Sequence, residues 1–377
     1  MGTRALLAGA LSAVALLIAA SAASPGALAA SSHCPPAPRA GSSYAPDGAV
    51  VVAGIMKLLQ GPMTPGCATR SQLGSPDAVA VDRHGDLYIA DSWSATVDKV
   101  TPAGVISVIA GNGGSGVPVP GPATKTAIGY PGSVAVDRAG NVYIADSQNN
   151  VVEKVTPSGR LSIFAGEVGV NGPGRIGPAD KTSIGGPDWV AVGPNGDVYI
   201  ANGEGMQVIK VNRRGQLSLV AGSGLGSPRP GPATSTPLGG RAGQVGCLSG
   251  LAVSGSGDVY IADQCVHVVE RVSQAGMLSI VAGRVGQNGK PTAGPATSTR
   301  LVTPQGLAVD GAGNLYIADT WGGVIERVTP TGALSLVGTA GDNHFQPAAL
   351  AIAHGQMFVA DQEYAVIERL SLRAAAR

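Results

Sequence analysis

Six near-copies of one tetrapeptide constrain this chain more than anything else in it. Tyr-Ile-Ala-Asp stands at 88–91, 143–146, 260–263 and 316–319, Tyr-Ile-Ala-Asn at 199–202, and Phe-Val-Ala-Asp at 358–361. Measured on the last residue, successive copies lie 55, 56, 61, 56 and 42 residues apart. Periods of this size mean propellers or arrays, in which one small unit is repeated because it cannot bury its apolar face alone.

Within one period the pattern is an apolar stretch (133–137), a turn (138–141), the tetrapeptide strand (142–146), a polar loop (147–150), Val-Val-Glu-Lys-Val (151–155), a Thr-Pro-Ser-Gly turn (156–159) and Leu-Ser-Ile-Phe (161–164). Val, Ile and Tyr suit a pleated, half-buried surface, and Gly, Pro and Asn punctuate it. We read four short strands, a to d, in each repeat. No segment keeps a helical period over a useful length. Four strands are the content of one propeller blade.

The ends of the array test whether it closes. The last repeat offers strands near 349–353, 357–360 and 365–370 and then lacks a fourth, whereas residues 49–54 match a d strand with no a, b or c strand before them. The N-terminal strand is therefore expected to complete the last blade. That gives an all-β, six-bladed β-propeller over 49–372 with no open sheet edge. Around it we expect a signal peptide (1–29), a leader segment (30–48) and a C-terminal tail (373–377).

The repeat resembles the NHL repeat, through Pro-x-x-Val-Ala-Val-Asp-x-x-Gly-(Asn/Asp)-x-Tyr-Ile-Ala-Asp as it stands at 131–146. The resemblance spans roughly 50–372. The long Gly-Pro-rich connections between strand d and the next strand a, with Gly-Pro-Ala at 121–123, 177–179, 231–233 and 294–296, are similar to those of bacterial exported NHL proteins. NHL propellers serve as protein-binding modules, sensor domains and, in a few cases, lyases, so the resemblance fixes a fold more firmly than a role.

The resemblance implies that strand a lines the central channel. The d–a and b–c loops then share one face, and the tight a–b and c–d turns share the other. Binding residues concentrate on long loops, which makes the first face the candidate. Trp93 and Trp321 fall in b–c loops there, Tyr364 in the corresponding loop of blade 6, and Trp189 at the start of a strand a. Such rings are binding anchors or covers for the gaps between blades. Aligned on the a strands, the channel mouth receives Asp77, Gly132, Asp188, Ser249, Gln305 and Ala348. Asp77, Asp188 and Gln305 are ligand-binding candidates there, or solvated loop residues. The recurrent Asp91, Asp146, Asp263, Asp319 and Asp361 read as turn devices, as do Asp82, Asp137 and Asp310. Glu153-Lys154, Glu270-Arg271, Glu326-Arg327 and Glu368-Arg369 lie on strand c, to bridge neighbouring blades or to keep the outer surface wet.

Chemistry is hard to place on this chain. Its five histidines are scattered: His33 precedes the fold, His84 and His354 fall in a–b turns, His267 in a b–c loop and His344 in a d–a loop. A zinc site needs such ligands to converge. No nucleophile elbow or phosphate-cradling motif occurs. The inner strands read Ala-Val-Ala-Val, Ser-Val-Ala-Val and Gly-Leu-Ala-Val, a bland channel. With 25 basic against 24 acidic residues and no basic stripe, there is no footprint for nucleic acid. The expectation is a scaffold without a cofactor that binds an extracellular protein, peptide or glycan. The alternative is a lactonase-like hydrolase or lyase with a divalent cation such as Ca2+ at the channel mouth.

Arg4, the apolar run 6–20 and Ala27-Leu28-Ala29 read as a cleavable secretory signal, leaving no spanning segment and placing the protein outside the cell or on its envelope. Four cysteines in such a compartment permit two disulfides in three pairings. Cys247 and Cys265 are expected on one face of one blade, and Cys34 and Cys67 flank the closing strand, so we pair them in that way.

Overall fold

The computed structural model describes residues 34, 49–55, 65–240, 246–339 and 345–372. The expected signal peptide and tail, and the leader apart from Cys34, lie outside the described residues, as do His33 and His344.

Blade 2 shows how the repeat folds. Strands a (Pro131–Val136), b (Val142–Asp146), c (Val151–Val155) and d (Arg160–Ala165) pair antiparallel in the order a-b-c-d from the inside out. Strand b is wholly buried because the sheets on either side cover both its faces, which is why a short run of Val, Tyr, Ile and Ala was retained there without alternation. The inner strands of blades 1 to 6 are Pro76–Val81, Pro131–Val136, Pro187–Val192, Leu248–Val253, Pro304–Val309 and Pro347–Ala353. Each touches the next, and the last touches the first, so the ring is closed.

Closure falls where the sequence places it. Val50–Ala53 is the outer strand of blade 6, antiparallel to Val366–Ser371, with Val50 opposite Arg369 and Val51 opposite Glu368.

The Gly-Pro-Ala connections are architectural. Gly121–Pro122 adds a fifth short strand outside strand d of blade 2. The buried Ala123 then ties two blades together. Its N–H donates to the Gly159 carbonyl in the c–d turn of blade 2 (2.8 Å), and its carbonyl accepts from Gly111 at the end of blade 1 (3.0 Å). Ala68, Ala179 and Ala233 do the same at their seams. Gly111 has no alternative: its φ is +82°, and a Cβ would lie 2.2 Å from the Ala95 carbonyl oxygen. Much of the long connection is thus mortar along the outer wall rather than free loop.

Both expected disulfides are present. Cys34–Cys67 joins the leader to the short strand outside blade 1 (Cα–Cα 5.5 Å), and Cys247–Cys265 joins the entrance of blade 4 to its b–c loop (Cα–Cα 5.1 Å).

Candidate functional site

Each inner strand begins with a β-bulge against strand b, between Pro76 and Ala78, Pro131 and Ser133, Pro187 and Trp189, Leu248 and Gly250, Pro304 and Leu307, and Pro347 and Ala349. Bulges re-aim side chains. The residues inside them include Asp77, Gly132, Asp188, Ser249, Gln305 and Ala348, the set expected at the channel mouth. Apolar alternation hides this device, because the sequence runs smoothly through it.

Most of the mouth is occupied with stitching blades together. Asp77 accepts from Gln362 Nε2 of blade 6 (2.7 Å) and from Ser75 Oγ (2.8 Å). Ser249 Oγ donates to the Pro304 carbonyl of blade 5 (2.9 Å). Gln305 takes a hydrogen bond from Thr320 (2.9 Å) and gives one to Gln264 of blade 4 (3.3 Å). No hydrogen bond among the described residues joins Asp77, Asp188 and Gln305 to one another. Asp188 stands apart. No donor among the described residues reaches its carboxyl, which lies against Gly203 in the b–c loop. Burial and the neighbouring Glu204 carboxylate push it up to about 7.

The aromatic candidates divide. Trp93 and Trp321 are 64% and 68% exposed, large values for the two biggest side chains on the surface. Tyr364 is half-buried in the b–c loop between them in ring order, so the three span blades 5, 6 and 1. Trp189 is instead half-buried on the inner strand of blade 3, packed against the cores on both sides. At the equivalent place blade 4 has Gly250, where a Cβ would meet the Gln305 carbonyl oxygen at 1.8 Å.

The recurrent aspartates are staples, as expected, but their reach is longer than one turn. Asp146 accepts from the N–H groups of Gly129 (2.7 Å), Tyr130 (3.3 Å) and Asn149 (3.1 Å) and from Asn149 Nδ2 (2.7 Å). It thereby fixes the b–c loop to the segment entering strand a. Asp91 does the same with Gly74, Ser75 and Ser94. Asp82, Asp137 and Asp310 close the a–b turns on their own N–H groups, as read from sequence.

The strand c glutamates neither bridge blades nor wet the surface. Asp98, Glu153, Glu270, Glu326 and Glu368 are all fully buried, and no side chain or backbone donor among the described residues makes a hydrogen bond of ordinary geometry to the four glutamates. Each faces the strand b aspartate of its own blade. Glu153, for example, lies on the same face of the b–c ladder as Asp146, two rungs along. Burial first, and the aspartate second, hold Glu153, Glu270 and Glu326 well above the ordinary range, and push Glu368 up to about 8. A buried carboxyl beside a second acid keeps its proton, because burial and the neighbouring like charge both disfavour ionisation, and a neutral acid can share a dry sheet with an aspartate. The partners on strand c, Lys154, Arg271 and Arg327, point the other way into the gaps between blades.

Among the described residues no three His, Cys, Asp or Glu side chains converge to hold a metal ion. His267 is bonded through Nδ1 to the Val302 carbonyl (2.7 Å), while His84 and His354 lie on the turn face. Cavities of about 520, 450 and 480 Å³ open on that turn face, between blades 1 and 2, 2 and 3, and 5 and 6. Each is formed by turns of consecutive blades, 42 to 56 residues apart in the sequence, so no single repeat contains one.

The six four-stranded blades, the strand-completed seam and the stapled Tyr-Ile-Ala-Asp repeat define an NHL-repeat propeller. The family model described as the Teneurin NHL domain matches residues 63–273 and 168–344, and the chain belongs to this family. It is similar to human Teneurin-4, 25% identical over 276 residues, which are 62% of this chain and 10% of that protein. The chain thus spans about a tenth of that relative's length. Among solved structures, an auxiliary nutrient binding protein from Bacteroides thetaiotaomicron superposes with a TM-score of 0.60 at 14% identity, covering 85% of this chain and 75% of that one. A gluconolactonase from Xanthomonas campestris gives 0.53 at 13%, covering 90% and 95%. These likenesses show the fold. No helix among the described residues is long and apolar enough to cross a membrane.

Proposed function

We propose that this chain is an exported binding scaffold that engages an extracellular protein, peptide or glycan through its long-loop face. The observation that carries this reading is the pair of exposed indoles, Trp93 and Trp321, on b–c loops either side of blade 6. Large rigid aromatics left in water on loops of a stiff scaffold are the side chains that dominate binding energies elsewhere. Tyr364 stands on the b–c loop of blade 6, between them in ring order, and Gln362 of the same loop donates to Asp77 of blade 1 (2.7 Å). Two disulfides suit an oxidising compartment. The Bacteroides protein of similar fold is a nutrient binding protein, which supports a binding role for such a ring without naming a ligand.

The test is capture of a partner from envelope extract by the mature propeller, followed by affinity measurement on Trp93→Ala and Trp321→Ala. Each truncation is expected to cost about 2 kcal/mol of binding or more, roughly 30-fold. Their thermal stability should stay within about 0.5 kcal/mol of the parent, as for surface substitutions. Unchanged affinity in both variants overturns the assigned surface.

A second reading is a divalent-cation-dependent hydrolase or lyase, favoured by the unbonded Asp188 beside Glu204 at the channel mouth and by the gluconolactonase of similar fold. Metal analysis separates the two. A stoichiometric cation, lost in Asp188→Asn, is required by the enzyme and not by the scaffold.

A further inference from the structure

The turn face carries a charge asymmetry that the blades themselves reveal. In blades 1, 3 and 4 the strand c cation lies over or beside the strand b tyrosine and is neutralised by the acid that precedes strand b. These pairs are Lys99–Asp86 (2.6 Å), Lys210–Asp197 (3.2 Å) and Arg271–Asp258 (2.9 Å). In blade 2 the acid is replaced by Asn141, whose amide donates to Asp137 instead (2.7 Å). Lys154 remains over the Tyr143 ring, 5.7 Å from its centroid, with no carboxylate partner among the described residues.

Lys154 projects into the cavity of about 450 Å³ between blades 2 and 3, whose walls also carry Arg138 and Arg213. Neither arginine has a carboxylate partner among the described residues. The one acid on the walls, Asp137, already accepts from the N–H groups of Ala139 (2.8 Å) and Asn141 (2.9 Å), from Asn141 Nδ2 and from Tyr143 Oη (3.2 Å). Three cations therefore face one carboxylate whose acceptor capacity is taken. The floor is apolar: Tyr143 and Phe164 meet edge to face with centroids 4.8 Å apart. The neighbouring cavity between blades 1 and 2 sets Asp82, Asp86 and Asp137 against Arg83, Lys99 and Arg138, so its charges balance in number, and Lys99 is paired with Asp86. Between blades 5 and 6, Arg327 also lacks its acid, because Asn314 replaces it, but no second and third cation joins it.

We infer that the groove between blades 2 and 3 is a binding site for an anionic sugar, bearing a carboxylate or a phosphate. The volume lies within the range of small-molecule sites, aromatic walls suit the C–H face of a sugar ring, and two guanidinium groups and an ammonium recognise the anion. This site lies on the opposite face from the aromatic arc and does not depend on what binds there.

The experiment is calorimetric titration of the intact protein with glucuronate, glucose 6-phosphate and glucose at low salt. Saturable binding of either anionic sugar, weakened by added salt, with glucose at least tenfold weaker, is the expected result. Asn141→Asp installs the acid that blades 1, 3 and 4 already carry, so the fold accepts it, and it should weaken anion binding at least tenfold with the melting temperature retained. Arg213→Gln, at an exposed position, should weaken it as well. Equal or absent binding of all three sugars overturns the assignment, and so does an Asn141→Asp variant that binds like the parent.

Discussion

Blade 3 and its five neighbours share a backbone and differ in their buried chemistry. In blades 1, 2, 4, 5 and 6 strand b ends in aspartate and strand c buries a second acid: Asp91 with Asp98, Asp146 with Glu153, Asp263 with Glu270, Asp319 with Glu326, and Asp361 with Glu368. In blade 3 the two places hold Asn202 and Ile209, equally buried. Asn202 still accepts from the Gly185 N–H (2.7 Å), as Asp146 accepts from Gly129, so an amide suffices for the staple. What disappears with the aspartate is the second acid. Burying a carboxyl is costly, and in the blade whose strand b lacks the aspartate an aliphatic side chain fills the same place. The two acids are one unit.

The largest effect should come from removing the staple where the pair exists. Asp146→Ala strips four donors of their acceptor and leaves Glu153 without its partner, and is expected to cost about 3–5 kcal/mol. Asn202→Ala loses the bond from Gly185 and a long one to Gly172 (3.4 Å) and should cost about 1–2 kcal/mol. Denaturant melts of the two variants compare them directly, and equal losses would mean that the acid pair adds nothing to the staple.

A smaller effect is spread over pH. The buried glutamates have folded pKa values above their unfolded value of about 4.3, so the folded state binds more protons. The stability they contribute is complete below about pH 4 and declines as pH rises, up to about 8 at Glu368. Each titrating group adds a slope of about 1.4 kcal/mol per pH unit in that window. Denaturation midpoints should therefore fall from pH 5 to pH 8. Glu153→Gln, which keeps a donor toward Asp146 and cannot ionise, should reduce the fall, while an unaltered slope would place the proton elsewhere.

The smallest effect is a coupling energy. Ile209→Glu and Asn202→Asp should each destabilise blade 3, and the double variant should recover about 1–2 kcal/mol relative to their sum. Strict additivity would show that the acids do not act together.

The ring, its closure by the N-terminal strand and both disulfides were legible because each rests on local pattern: the tetrapeptide, an orphan strand at one end matching a gap at the other, and cysteines on the same blade or beside the same strand. The candidate site was legible only in part. Trp93 and Trp321 are as exposed as loop tryptophans suggest, whereas Trp189, at a strand start, is half-buried against the cores on both sides, because it stands on the inner strand rather than on a loop. The burial of the glutamates is hidden because a charged residue type on an alternating strand normally marks a wet face. Alternation already set Glu153 and Lys154 on opposite faces, and the joint change to Asn202 and Ile209 was the visible sign that the two positions communicate. The grooves of the turn face had no such sign, since no single repeat contains one.

The seam at blade 6 sets a timetable for the chain's birth. Val50 pairs with Arg369, and at a synthesis rate of about 5–20 residues per second the first waits tens of seconds for the second. Throughout that interval a ribbon of Val50, Val51 and Val52 stands without its neighbour while five blades accumulate behind it. The strand that finishes the ring is made before any of the blades, and its long wait makes the growing chain, rather than the finished ring, the form with an open edge for another copy to pair with.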